Sequence, residues 1–152
     1  MKTYHKVIFV CMDNTCRSIM AEAVMNSVNW KKTLQVLSRG LVVLFPEPMN
    51  PKAVAILKGN QLEPSKESSE QLSVEDLEAG TLVLTMTEYE CCQAKESFQG
   101  EADIYSIGEF VRKPGDINLP HGGTLAEYGA CYEYIDLMVK MAAERLLKEE
   151  AI

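Results

Sequence analysis

The stretch Val7-Ile8-Phe9-Val10-Cys11-Met12-Asp13-Asn14-Thr15-Cys16-Arg17-Ser18-Ile19-Met20-Ala21 decides how this chain folds. Val7 to Val10 is a β-branched and aromatic run without polar alternation, the pattern of a strand buried on both faces. The run stops at Cys11 and a polar loop follows. Ser18 then stands at the N-cap position of a helix in which Met20, Ala21, Val24, Met25 and Val28 recur at helical spacing up to Trp30. The unit reads strand, loop, helix.

Outward from it the alternation repeats. A second strand is predicted over Leu34 to Leu37, ended by Ser38-Arg39-Gly40, and a Pro-rich loop leads to a helix with Asn50 as N-cap and Pro51 at its first position. That helix carries Val54, Ile56 and Leu57 and stops near Gly59-Asn60 with a left-handed cap. Ser73-Val74-Glu75-Asp76 has capping-box form and opens a short helix. Leu82-Val83-Leu84 is the third buried strand, Thr87 to Glu90 again has capping-box form, and that helix runs to about Phe98. A weak fourth strand surrounds Ile104-Tyr105, and Lys113-Pro114-Gly115-Asp116 reads as a turn. Thr124 and Glu127 cap a long last helix with Cys131, Ile135, Met138, Val139, Ala142 and Leu146 on one stripe. Strands alternating with helices predict an α/β fold: a three-layer αβα sandwich around a central four-stranded parallel sheet. Open sheets of this kind bind ligands at the carboxyl ends of their strands, where the loop from Cys11 lies.

Composition narrows the function. At 152 residues, 47% hydrophobic and 24% charged, the chain has the size and apolar content of one globular domain over 1–152, too apolar for an intrinsically disordered chain. A formal net charge of −7 argues against long-range attraction to nucleic acid or to an anionic membrane. No run approaches the roughly 20 apolar residues of a membrane span, and no signal-like apolar region precedes Val7. Five cysteines, an odd number in a chain of a size that needs no disulfide staples, read as free thiols in a reducing, cytoplasmic compartment. No paired Cys-x2-Cys spacing suggests zinc, and neither metal nor cofactor is expected.

Cys11 to Arg17 is a Cys-x5-Arg loop between a buried strand and a helix N-terminus. A loop of this length can turn successive backbone N–H groups inward, where they join the helix dipole in holding an oxyanion, while Arg17 offers a bidentate fork. Met12, Asp13, Asn14, Thr15, Cys16 and Arg17 are thus the candidate phosphate-binding residues. The same donors would lower the pKa of Cys11 and make it a nucleophile.

At these residues the chain resembles the low-molecular-weight protein tyrosine phosphatase family. The resemblance runs from Val7 through Asn14-Thr15-Cys16-Arg17-Ser18 to Met20-Ala21-Glu22-Ala23, and recurs at Gln71-Leu72, Leu82 to Met86, Gly122-Gly123 and Tyr128. It implies that Cys11 attacks phosphorus to form a cysteinyl-phosphate, that Arg17 holds the equatorial oxygens, that Ser18 stabilises the thiolate and that Asn14 braces the loop. It also implies that Cys16 can pair reversibly with Cys11. Thr15 is similar to the residue at this position in bacterial protein-arginine phosphatases of the family. Implied ligands are a phosphorylated protein or a small aryl phosphate, with inorganic phosphate or sulfate in the loop.

The pattern breaks at Leu119-Pro120, where the family places its general-acid Asp before Pro. General acid catalysis typically contributes about 10²- to 10⁴-fold, so its loss slows departure of poor leaving groups. Asp116, His121 and Asp13 are candidate substitutes. Asp13 and Ile19 stand where the family usually has Gly and Pro, and Arg39 and Glu70 also depart from its common residues. Tyr105, Phe45, Tyr89 and His121 are candidates for the pocket mouth. The leading reading is a protein phosphatase acting on phosphotyrosine or phosphoarginine. The alternatives are a catalytically weak relative that binds phosphate or phosphoprotein, and a thiol-dependent arsenate reductase using Cys91 and Cys92.

Overall fold

The computed structural model describes residues 3–120 and 123–148. Strand β1 covers Lys6–Cys11, and β2 (Gln35–Gly40), β3 (Thr81–Thr85) and β4 (Asp103–Ser106) lie in one parallel sheet in the order β2-β1-β3-β4. The expected four-stranded parallel sheet is present, and β1, which ends in Cys11, is one of its two interior strands. The helices are α1 (Arg17–Val28), α2 (Pro51–Gly59), α3 (Glu88–Ser97), α4 (Ile107–Val111) and α5 (Leu125–Leu147).

Because side chains alternate along a strand, β1 feeds two cores. Val7, Phe9 and Cys11 join Leu82, Leu84 and the apolar residues of α1, α2, α4 and α5 on one face. Ile8 and Val10 join Val83, Leu41, Leu72, Leu77 and Ala94 of α3 on the other. Covering both faces explains why Val7 to Val10 shows no polar alternation, and it makes the three layers.

Several local expectations need correction. Ser18 is not an N-cap: α1 begins at Arg17 after Cys16, which makes no side-chain cap bond, so Ser18 lies inside the first turn. Strand β2 continues through Ser38-Arg39-Gly40, because parallel pairing with β1 runs on to the Cys11–Gly40 register. Asn50 does cap α2, accepting from Lys52 N at 2.9 Å and Ala53 N at 3.3 Å, but the left-handed residue beyond the helix is Gln61. Ser73 opens only a single 3-10 turn, Val74–Asp76. Helix α4 has no counterpart in the sequence reading; the Ser106 hydroxyl caps it by accepting from Glu109 N. Helix α4 ends at the left-handed Arg112, whose N–H bonds to the Glu109 and Gly108 carbonyls, one residue ahead of the predicted turn at Lys113 to Asp116. On α5 the buried stripe is Tyr128, Tyr132, Ile135, Met138, Val139, Ala142, Ala143 and Leu147, while Cys131 and Leu146 are only partly buried.

Phe9 is fully buried in the core that β1 shares with α1 and α5. Replacing it with Ala is expected to lower the unfolding free energy by about 3–5 kcal/mol. The check is the urea midpoint at constant slope; a loss under about 1 kcal/mol would contradict the packing described.

Candidate active site

Cys11 is the last residue of β1 and is 1% exposed. Its Sγ lies 3.0 Å from Ser18 Oγ, to which the thiol donates. Asn14 Nδ2 also donates to Ser18 Oγ, at 2.7 Å, so the hydroxyl keeps its own proton to give to sulfur once Cys11 ionises. The N-terminal turn of α1 therefore brings a hydroxyl to the Cys11 thiol, a contact open to Ser18 because it does not cap the helix.

Asn14 shapes the loop. It takes a left-handed φ of 59°, a conformation that Asn tolerates better than most residues, and it is fully buried. Its second Nδ2 hydrogen goes to Ser38 Oγ at 3.0 Å, and its Oδ1 accepts from Glu70 N at 3.0 Å. Ser38 Oγ in turn donates to the buried carboxylate of Glu22 at 2.6 Å. The rest of the loop is tied to its surroundings through main-chain bonds: Leu41 N to Cys11 O, Val42 N to Met12 O and Asn50 N to Thr15 O. Asp13 accepts from Thr15 N at 3.2 Å, so its carboxylate engages one of the loop's own N–H groups.

Arg17 is buried, and its guanidinium is held from outside the loop. NH2 donates to Glu90 Oε2 at 2.7 Å, and NH1 donates to Glu90 Oε1 at 3.3 Å and to Ile117 O at 2.9 Å. Its Nε is buried with no partner. A buried donor left unpaired costs about 1–3 kcal/mol, and the edge it belongs to can meet an oxyanion in the loop.

Burial pushes the Cys11 thiol up and sets the net direction, and Glu90 adds to it; Arg17 and the hydroxyl and backbone N–H of Ser18 pull it down. The α1 N-terminus acts with Arg17 and Ser18. The depression expected from the loop donors is thus opposed by burial and by a carboxylate that the sequence reading did not include. Cys16 is also buried, and desolvation together with the neighbouring Cys131 and Cys11 thiols raises it strongly. Cys11, Cys16, Cys91, Cys92 and Cys131 are all free.

The substitute acids fare differently. Asp116 is exposed; its Oδ1 accepts from Glu88 N at 2.9 Å, and it lines a groove with Glu88, Ser106, Glu109 and Arg112 that includes no phosphate-loop residue. Asp13 is engaged within the loop, and His121 lies outside the described residues. Leu119 is 38% exposed. Of the mouth candidates, Phe45 and Tyr89 are exposed, whereas Tyr105 packs against Phe110 with ring centroids 6.2 Å apart. Cys91 is buried on α3 beside the Ile104 carbonyl. Among the described residues no group of His, Cys, Asp or Glu is arranged to hold a metal ion, and no helix is long and apolar enough to cross a membrane.

Residues 6–151 match the family described as low molecular weight phosphotyrosine protein phosphatase. The chain belongs to that family. Membership makes it a hydrolase of the protein phosphatase class, as the resemblance implies. It is 31% identical over 130 residues to the low molecular weight protein-tyrosine-phosphatase PtpB of Staphylococcus haemolyticus, covering 86% of this chain and 91% of that protein. It is also 31% identical over 148 residues to the protein-arginine-phosphatase of Bacillus subtilis, covering 94% and 97%. A solved structure of a mutant YwlE arginine phosphatase with a phosphorylated active-site serine superposes with a TM-score of 0.79 at 26% identity, covering 95% of this chain and 97% of that one.

For this phosphatase the sequence reading missed Glu90, Ser38, Glu22 and Gly40. Glu90 is masked by its second duty, closing the capping box of Thr87. Glu22 carries a visible signal, a carboxylate between Ala21 and Ala23 on an apolar helix. Gly40 sits directly under the loop: a Cβ there would meet Val43 Cγ2 at 2.7 Å, the Asp13 carbonyl carbon at 2.9 Å and Asn14 Cβ at 3.1 Å.

Gly40→Ala is therefore expected to displace the loop and lower kcat/KM for an aryl phosphate by about 10²-fold, since misplacement on the ångström scale carries that cost. A wild-type kcat/KM would mean that the loop absorbs the methyl group. Ser18→Ala removes a donor to the thiolate, so the midpoint of Cys11 alkylation by iodoacetamide, followed by mass spectrometry, is expected to move to higher pH than in the wild type. An unchanged midpoint would remove Ser18 from that role.

Proposed function

We propose that Cys11 is the nucleophile of a protein phosphatase acting on phosphorylated side chains, with small aryl phosphates as surrogate substrates. The carrying observation is the pairing of a buried thiol hydrogen-bonded to Ser18 with an arginine whose Nε is buried and unpartnered beside it. In this reading the loop N–H groups of residues 12–17, apart from that of Thr15, which Asp13 holds, and the free edge of Arg17 bind the phosphoryl oxygens. Inorganic phosphate or sulfate occupies the same cradle.

The Cys11 thiolate attacks phosphorus as the bond to the leaving oxygen or nitrogen breaks, giving a cysteinyl-phosphate and the released side chain. Water then attacks phosphorus, the sulfur leaves as thiolate, and phosphate departs. The leaving group must take up a proton, and Leu119 has none to give. Aryl oxygen leaves readily without an acid, whereas alkoxide and amine leaving groups do not. Relatives named for tyrosine and for arginine phosphate are equally similar, and Thr15 leans toward the arginine type. Free thiols throughout the chain favour a reducing cytoplasm as its location.

A second reading, a phosphate- or phosphoprotein-binding relative with little turnover, is favoured by one specific arrangement. Asp116 and Asp13 already accept hydrogen bonds from backbone N–H groups, and neither is offered to a leaving group. Single-turnover hydrolysis of an aryl phosphate separates the two. Wild type is expected to release aryl alcohol in a burst, and Cys11→Ser to release none. Leu119→Asp is expected to accelerate release of a poor leaving group by about 10²-fold. A wild type as inert as Cys11→Ser would overturn the enzymatic reading in favour of binding.

A further inference from the structure

We propose that Glu90 is a positioning residue: it grips the outer edge of the Arg17 guanidinium, so that only the Nε–NH2 side edge remains to receive phosphoryl oxygens. The proposal rests on the phosphatase reading of the loop and adds to it a residue outside the loop.

Hydrogen-bond accounting carries the inference. A guanidinium has five N–H donors in a rigid plane. Glu90 takes one from NH1 and one from NH2, which closes the end of the fork, and Ile117 O takes the other NH1 hydrogen. The donors left are Nε–H, buried and unpartnered, and the second NH2 hydrogen. These two lie on the same side edge, the one that fits two oxygens of an anion.

Glu90 is itself immobilised. It is 3% exposed, its Oε1 also accepts from Thr87 N and Thr87 Oγ1, each at 3.1 Å, and its own N–H donates back to Thr87 Oγ1 at 3.1 Å. Thr87 follows Met86, whose N donates to Val10 O and whose O accepts from Ile117 N. Val10 precedes the nucleophile, and Ile117 holds Arg17. The strand end, the α3 cap and the late loop are thus stitched together around one guanidinium. A capping box alone needs only a side chain that reaches back to Thr87, which Gln also does. The bidentate grip on Arg17 needs a carboxylate.

The grip carries an electrostatic cost. The carboxylate opposes both the thiolate and an incoming dianion, so its place at the site trades attraction for geometry. The charged and titratable groups facing Cys11 are Arg17, Glu90, Cys16 and Cys131. Removing only the charge of Glu90 should therefore ease ionisation of Cys11 while loosening Arg17.

The test compares Glu90→Gln, Glu90→Asp and Thr87→Ala with the wild type. In Glu90→Gln the midpoint of Cys11 alkylation by iodoacetamide is expected to fall, kcat for an aryl phosphate to drop by about tenfold or more, and the inhibition constant of inorganic phosphate to be no weaker. Glu90→Asp keeps the charge on a shorter arm, so kcat falls while the alkylation midpoint stays. Thr87→Ala is expected to lower Tm without moving the midpoint. If Glu90→Gln changes Tm alone, Glu90 is only a helix cap and the proposal is overturned. If the wild type proves inert toward aryl phosphate, the phosphatase reading fails by itself; a lowered midpoint in Glu90→Gln then still supports the proposal, and an unchanged one overturns it.

Discussion

The arrangement depends first on one side chain that holds three parts of the chain at once. Asn14, in a left-handed backbone conformation inside the loop, donates to Ser18 on α1 and to Ser38 on β2 and accepts from the backbone of Glu70. Each bond is buried or partly buried, where an unmet donor or acceptor is costly, so the loop has one satisfied conformation. Cys11, Ser18 and Arg17 inherit their positions from that constraint. The chain Cys11, Ser18, Asn14, Ser38, Glu22 is continuous from the thiol to a buried carboxylate. A polar network of this kind specifies one geometry only when every member is partnered, as here.

Arg39 and Glu70 make sense as a pair. Arg39 NH1 lies 3.6 Å from Glu70 Oε1, its Nε lies 3.3 Å from Asp76 Oδ2, and Lys66 reaches Glu70 at 3.2 Å. Lys66 also donates to the Ser38 carbonyl at 2.7 Å. Glu70 supplies its backbone N–H to Asn14, so this small ion-pair network sits behind the phosphate loop and holds the segment that braces it. Individual exposed pairs contribute little, but a network on partly buried partners constrains geometry. Ile19, in the first turn of α1, is buried at 1% exposure and joins the core, so packing fixes the start of the helix.

Much of the fold was legible because burial imposes patterns on neighbouring residues. The apolar run at Val7 to Val10, the Asn50-Pro51 start and the boxes at Thr87 and Thr124 are local signals of local structure, and each is where the sequence places it. The short helix α4 was not legible, since Ile107-Gly108-Glu109-Phe110-Val111 is too short to show a period and contains a glycine. Ser18 misled as a cap because a Ser before an apolar stripe reads the same whether its hydroxyl turns to the helix backbone or to a cysteine seven residues earlier.

By itself the sequence determined the strand, loop and helix unit, the thiol and the arginine at the two ends of its loop, and the parallel sheet that carries it. Those follow from propensity, periodicity and spacing, which act between neighbours along the chain. Only the tertiary structure decided that Glu90, 73 residues from Arg17, takes the end of its fork, and that Ile117 takes another of its donors. It likewise decided that Gly40 supports the loop, and that Asp116 hydrogen-bonds to α3 in a groove apart from it. The physical reason is that such partners meet through crossovers between parallel strands, and hydrogen-bond satisfaction in a buried site is settled only when distant segments have packed together.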